Sequence, residues 1–150
     1  VAAAAEASLL GNRTIAVSIN AYHDQIYATA AIWMCKMLEM GIVGLAQPHQ
    51  VLNINFPNVE VDAIKGIRLS RTGHRKYYNF IKIIHEMDDG FTYRIGGDLP
   101  VWDIEHGTDA EAVSEGYISI TPLGFNLTCG EAFPQILEWL ESHQLLQVKP

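Results

Sequence analysis

The feature that most constrains this chain is a repeated pairing of a short apolar run with a helical pattern. Thr14-Ile15-Ala16-Val17-Ser18-Ile19 is nearly continuous in apolar residues, as expected of a strand covered on both faces of a parallel sheet. Asn20 to Asp24 is a polar loop. Residues 25–40 then place Ile26, Ala30, Met34, Met37 and Leu38 near helical spacing, with Gly41 as the stop. A second strand, Val51-Leu52-Asn53-Ile54-Asn55, is ended by Phe56-Pro57-Asn58. Ahead of all this, residues 1–10 read as helix, stopped at Gly11-Asn12. Helix, strand, helix, strand is the rhythm of an α/β fold of the doubly wound, Rossmann-like kind.

The opening helix has no Ser, Thr, Asp or Asn cap before it and no initiator Met. That pattern implies a preceding stretch and hence a partial sheet. Beyond residue 60 the pattern changes. Gly66-Ile67-Arg68-Leu69-Ser70-Arg71 alternates apolar and polar side chains. Residues 80–87 and 91–95 are expected to form the arms of a protruding β-hairpin around Asp89-Gly90, a favoured pair for a type I′ turn. Gly96-Gly97 and Pro100 interrupt the pattern, and Thr108 or Asp109 is the expected cap of a short helix through Ser114. Tyr117-Ile118-Ser119-Ile120-Thr121 is a strand stopped by Pro122. Residues 131–143 form a C-terminal helix with Phe133, Ile136, Leu137 and Leu140 on one face. We therefore expect one domain over 1–150, with a sheet and helix core in 1–60, a strand and hairpin extension in 65–123 and the last helix in 131–143.

Composition narrows the partners. The 150 residues carry a formal net charge of −7, and their 10 Lys and Arg form no long basic run. A nucleic-acid polymer is therefore not expected, because binding one requires Lys and Arg to displace counterions from phosphates. No apolar run reaches the length of a membrane span and no signal peptide opens the chain, so a cytoplasmic location is expected. Cys35 and Cys129 lie in apolar surroundings and read as buried free thiols.

Complete catalytic motifs are not found. There is no Gly-x-Ser-x-Gly elbow, no phosphate loop and no Gly-x-Gly-x-x-Gly. Ser18 falls inside a strand read as buried. His85-Glu86-Met87-Asp88-Asp89-Gly90 contains metal-ligand types, but strand alternation sends His85 and Met87 one way and Glu86 and Asp88 the other. It reads as a hairpin tip. His23-Asp24 follows the carboxyl end of a strand, where open α/β sheets bind ligands; the competing reading is that Asp24 caps the next helix. His106-Gly107-Thr108-Asp109 reads as a turn and cap. Arg68, Arg71, Arg75 and Lys76 read as a solvated strand edge, with phosphate contact or links to a partner subunit as alternatives.

Several stretches, in order, resemble the survival-protein E (SurE) nucleotidases. They are Val1-Ala2-Ala3-Ala4-Ala5-Glu6 with Ile15-Ala16-Val17-Ser18, Leu52-Asn53-Ile54-Asn55-Phe56-Pro57, and Lys65-Gly66-Ile67-Arg68-Leu69-Ser70-Arg71-Thr72-Gly73. Tyr93-Arg94-Ile95-Gly96-Gly97 follows, then Gly107-Thr108-Asp109 with Gly116-Tyr117-Ile118-Ser119-Ile120-Thr121-Pro122-Leu123. Ala7, Arg13 and Arg94 depart from the residues common in that family, at positions that bear on structure. The resemblance implies a metal-dependent phosphomonoesterase acting on nucleoside 5′- and 3′-monophosphates. Its Asn-Asp-Asp-Gly, metal-site Ser and Ser-Gly-Ile-Asn lie ahead of the position matched by Val1. Catalytic residues and ligands for Mg²⁺ or Mn²⁺ are accordingly expected upstream, with none in this chain. Asp88-Asp89-Gly90 matches the family's hairpin turn and carries no catalytic role. Val1, Ala2, Asn20, Tyr22 and His23 are the expected substrate-proximal residues. The resemblance also implies a homodimer or homotetramer built through the hairpin and the last helix. Two rivals are a non-catalytic oligomerisation or binding module, and a different open-sheet enzyme that matches by convergence.

Overall fold

The computed structural model describes residues 1–76, 79–87, 90–97, 101–126 and 128–145. Of the expected turn at Asp89-Gly90, Asp89 falls outside the described residues, as does the break at Pro100.

The alanine-rich opening forms helix α1 (Ala2–Leu9), in keeping with the high helix propensity of Ala. It closes as a Schellman motif: Gly11 adopts φ 87°, its N–H donates to the Ser8 carbonyl at 2.9 Å, and the Asn12 N–H reaches the Ala7 carbonyl at 3.2 Å. Fully buried Ser8 then donates its hydroxyl to the Gln50 carbonyl at 2.9 Å, pinning the helix end to the second strand.

Strand β1 (Thr14–Asn20) leads to helix α2 (Tyr27–Glu39). The helix begins later than its apolar spacing suggests, because Asp24 holds a left-handed φ of 52° and the Ile26 N–H is taken by Asn58 Oδ1 at 2.8 Å. Asp24 therefore does not cap α2, whose cap position is Ile26. Strand β2 (Gln50–Pro57) runs parallel to β1 with Val17 opposite Ile54. Next come β3 (Ile67–Leu69), β4 (His74–Lys76), β5 (Asn79–Met87), β6 (Gly90–Gly97) and β7 (Val101–Asp103). Helix α3 (Asp109–Ser114), strand β8 (Ile118–Gly124) and helix α4 (Phe133–Ser142) complete the described elements.

The main sheet has the order β1-β2-β8-β3, with β8 antiparallel to β2 and parallel to β3. The result is a mixed sheet. One face of β2 presents Leu52, Ile54 and Phe56 to Ala30 and Met37 of α2, and Ile42, Ala46 and Ile118 join this core. The opposite face carries Asn53 and Asn55. β1 is an edge strand in this sheet, and both Val17 and Ser18 are exposed, so the reading of β1 as buried on both faces is corrected. Pro122 does not stop β8 either. The Ile118 N–H reaches Gly66 and the Ile120 carbonyl receives Ser70, so alternate residues of β8 face β3. By that alternation Pro122 also faces that side, past the last residue of β3, where a missing N–H costs no ladder bond.

Within 65–123, β3, α3 and β8 thus belong to the main sheet layer, while β4–β7 and β5–β6 form two separate antiparallel pairs. The β5–β6 ladder carries a bulge between Ile83 and His85, and Gly96-Gly97 close β6 in register with Phe80 and Asn79. Cys35 and Cys129 are free thiols, but both are exposed rather than buried. Cys35 lies on α2, and the helix turns the core towards Ala30 and Met37 instead. Among the described residues no helix is long and apolar enough to cross a membrane.

Candidate functional site

A cavity of about 440 Å³ opens beside the carboxyl end of β1, a size ordinary for small-ligand sites. Val1 at the start of α1 lines it, together with Asn20 and Tyr22 in and after β1. Ala2 and His23 are not among its lining residues. The floor comes from the polar face of the sheet, Ser18 on β1 and Asn53 and Asn55 on β2. Asp109, Val113 and Ser114 of α3 and Ile104 form the far wall.

Asp109 is buried at the first turn of α3. Its Oδ1 accepts the N–H groups of Ala110 and Gly73, each at 2.8 Å. A Cβ at Gly73 would sit 3.2 Å from that same oxygen, so a larger residue would make Asp109 give by a few tenths of an ångström. Asp109 Oδ2 takes a long contact of 3.5 Å from Asn55 Nδ2. In turn Ser18 Oγ donates to Asn55 Oδ1 at 2.6 Å. A polar chain therefore runs from α3 across β2 to β1.

Helix α3 is held by a reciprocal cap. Thr108 Oγ1 accepts the Glu111 N–H at 3.3 Å, so of the two expected caps it is Thr108 that serves. The Glu111 carboxylate accepts the Gly107 N–H at 2.7 Å and meets His106 Nδ1 at 3.2 Å. These contacts, the Gly107 N–H first and the His106 ring second, hold the Glu111 carboxyl below its ordinary range. Two members of the basic stretch have acidic partners within the chain. Arg68 pairs with Glu115 at 2.7 Å and lies 3.7 Å from the Tyr117 ring centre, and Arg71 pairs with Glu105 at 2.9 Å. Arg68 and Arg71 thus have acidic neighbours while staying open to solvent, and the side chains of Arg75 and Lys76 lie outside the description. Among the described residues no three of His, Cys, Asp and Glu gather as a metal cluster.

The family model described as Survival protein SurE matches residues 1–79. The chain belongs to the SurE family. The 5'-nucleotidase SurE of Mannheimia succiniciproducens is 37% identical over 144 residues, covering 95% of this chain and 57% of that protein. The 5'/3'-nucleotidase SurE of Klebsiella pneumoniae is 39% identical over 141 residues, covering 94% and 55%. The crystal structure of the SurE protein from Aquifex aeolicus superposes with a TM-score of 0.71 at 31% identity, covering 94% of this chain and 56% of that one. This SurE chain therefore spans a little over half the length of the relatives it matches.

Sequence reasoning missed Ser18, Asn53, Asn55 and Asp109 as cavity residues. A signal existed for the amides. Asn53 and Asn55 are two residues apart in an otherwise apolar strand, and a side-chain period of two puts both on one face. For Asp109 the neighbouring Thr108 cap masked the signal, because an acidic residue in the first turn of a helix is ordinary.

Proposed function

We propose that this chain is the C-terminal part of a nucleotidase that removes phosphate from nucleoside 5′- and 3′-monophosphates. The observation that carries the reading is a cavity at the carboxyl end of β1 in a chain whose relatives are named nucleotidases. Val1 lines that cavity and has no side-chain cap, and the first helix bond runs from the Ala5 N–H to the Val1 carbonyl. The N–H groups of the turn beginning at Ala2 are left as donors for a phosphate. Asn20 and Tyr22 flank the same opening, with His23 one residue further on.

The cavity does not fit a divalent cation by itself. Among the described lining residues Asp109 is the one carboxylate, and one oxygen of that group already accepts two backbone N–H groups. Mg²⁺ or Mn²⁺ takes several hard oxygen ligands. We assign those ligands, and the catalytic residues, to a preceding segment carrying Asn-Asp-Asp-Gly. This chain then serves as scaffold and nucleotide wall, in a cytoplasmic enzyme.

The same reading assigns assembly to the β5–β6 hairpin and α4, as a homodimer or homotetramer. Ile81, Tyr93 and Ile95 are 69%, 52% and 67% exposed on the hairpin, and Phe133 and Trp139 are 60% and 54% exposed on α4. These surfaces also favour a second reading, a non-catalytic assembly module, in which the preceding segment lacks Asn-Asp-Asp-Gly.

The test compares this chain with the longer protein that carries it, using adenosine monophosphate and Mn²⁺. Turnover by the longer protein and none by the 150 residues is expected. Phosphate release by the 150-residue chain unaided overturns the division of labour. Inactivity of the longer protein overturns the nucleotidase reading.

A further inference from the structure

Hydrogen-bond direction in the polar chain under the cavity fixes more than its geometry. A carboxylate only accepts hydrogen bonds, so the Asn55 amide must turn its Nδ2 towards Asp109, at 3.5 Å. Its Oδ1 then faces β1 and receives the Ser18 hydroxyl proton at 2.6 Å. Ser18 has only one proton and has committed it. What the Ser18 oxygen offers the cavity is therefore lone pairs, which bind donors and repel phosphate oxygens. The lining is without cationic side chains: no Lys, Arg or His is among the described lining residues, Asp109 is acidic, Asn20, Tyr22, Asn53 and Ser114 are neutral and polar, and the rest is largely apolar. Such a wall suits a neutral part of a ligand that carries hydroxyl groups.

We infer that Asp109 is a positioning residue that acts through Asn55 to hold the Ser18 hydroxyl as an acceptor, and that this cavity takes the hydroxyl-bearing sugar of the nucleotide. The assignment rests on the nucleotidase reading and sharpens it, because it separates a sugar wall on β1, β2 and α3 from a phosphate end at α1. It also makes an unusual forecast for Asp109→Asn. Oδ1 of the new amide must keep the Gly73 and Ala110 N–H bonds, which turns its NH₂ towards Asn55. Asn55 then flips, donates to Ser18, and frees the Ser18 proton to point into the cavity.

The test is kinetic, in the longer protein that carries this chain. KM is measured for adenosine 5′-monophosphate, its 2′-deoxy and 3′-deoxy counterparts, and p-nitrophenyl phosphate, which has no sugar. At least one deoxynucleotide is expected to show a KM about fivefold above the ribonucleotide, the loss of one neutral hydrogen bond. Ser18→Ala and Asp109→Asn should each erase that gap, and Ser18→Thr should keep it. Absence of any gap in the parent overturns the inference, as does a gap that survives Ser18→Ala. A Ser18→Ala effect of equal size on p-nitrophenyl phosphate assigns Ser18 to the phosphate and overturns it too. If no phosphomonoester is turned over, the nucleotidase reading alone has failed. Saturation-transfer NMR of adenosine with the parent and Ser18→Ala then decides: ribose signals lost in the variant support the sugar wall, and ribose signals unchanged or absent throughout overturn it.

Discussion

The β2 face towards α2 and the β5–β6 hairpin are both rich in apolar side chains, yet they end in opposite surroundings. Ile54 and Phe56 are fully buried among residues of α2 and β8, whereas Ile81 and Ile95, opposite each other in the hairpin, are 69% and 67% exposed. The first region satisfies its apolar surface within the chain. The second leaves its apolar groups exposed on a ladder of two strands, an arrangement that is marginal in water on its own. The same apolar patterning is therefore closed over in one place and left exposed in the other, and the proposed assembly would cover the second.

The sharpest way to break the contrast is at its buried end. Phe56→Ala should cost about 3–5 kcal/mol, the usual price of emptying an aromatic site in a core, read from the urea midpoint. A loss below about 1 kcal/mol would mean that β2 is not the centre of the fold. The exposed end is tested next, with Ile81→Ser and Ile95→Ser together. The assembled mass in light scattering should fall to that of the monomer, while monomer stability changes by less than about 0.5 kcal/mol. An unchanged mass would remove the hairpin from the interface.

The smaller effects concern the α3 end of the cavity. Thr108→Ala should cost about 1 kcal/mol through loss of the helix cap, measured by thermal unfolding. The smallest expected effect is a pH dependence at Glu111. Its carboxyl is held below the ordinary range by the Gly107 N–H and by His106. Its contribution is therefore present above the ordinary carboxyl pKa and is lost as pH falls through the lowered folded value. Glu111→Gln should flatten that part of the acid limb in melting curves taken from pH 7 downwards. An acid limb identical to that of the parent would show that Glu111 contributes nothing to it.

The elements best legible in the sequence are those decided locally. The alanines of α1, the Gly41 stop of α2 and the apolar alternation of β2 specify their own conformations. The hairpin arms follow from their flanking turn residues, and the α3 cap from Thr108. What stayed hidden depends on distant partners. β4 and β7 are three-residue strands created by pairing His74 with Asp103 across the hairpin, and no local pattern encodes that meeting. Pro122 continues β8 only because β3 ends at Leu69. The Ser18–Asn55–Asp109 chain joins positions separated by 37 and 54 residues, so the resemblance supplied the motifs without their convergence. The last helix shows a middle case: its apolar stripe is evident in the sequence, but Phe133, Ile136 and Leu137 remain exposed in the folded chain.

Pro122 gives the two margins of the main sheet unequal capacities for growth. Past Leu69, a newcomer aligning with β8 would meet a pyrrolidine ring where it needs an amide hydrogen, and would gain one fewer rung for every such encounter. Along β1, from Thr14 to Asn20, no proline interrupts the strand, so every residue keeps its amide hydrogen. The sheet is thus uneven in what its strands can donate: β1 keeps every amide hydrogen, and β8 lacks one at Pro122.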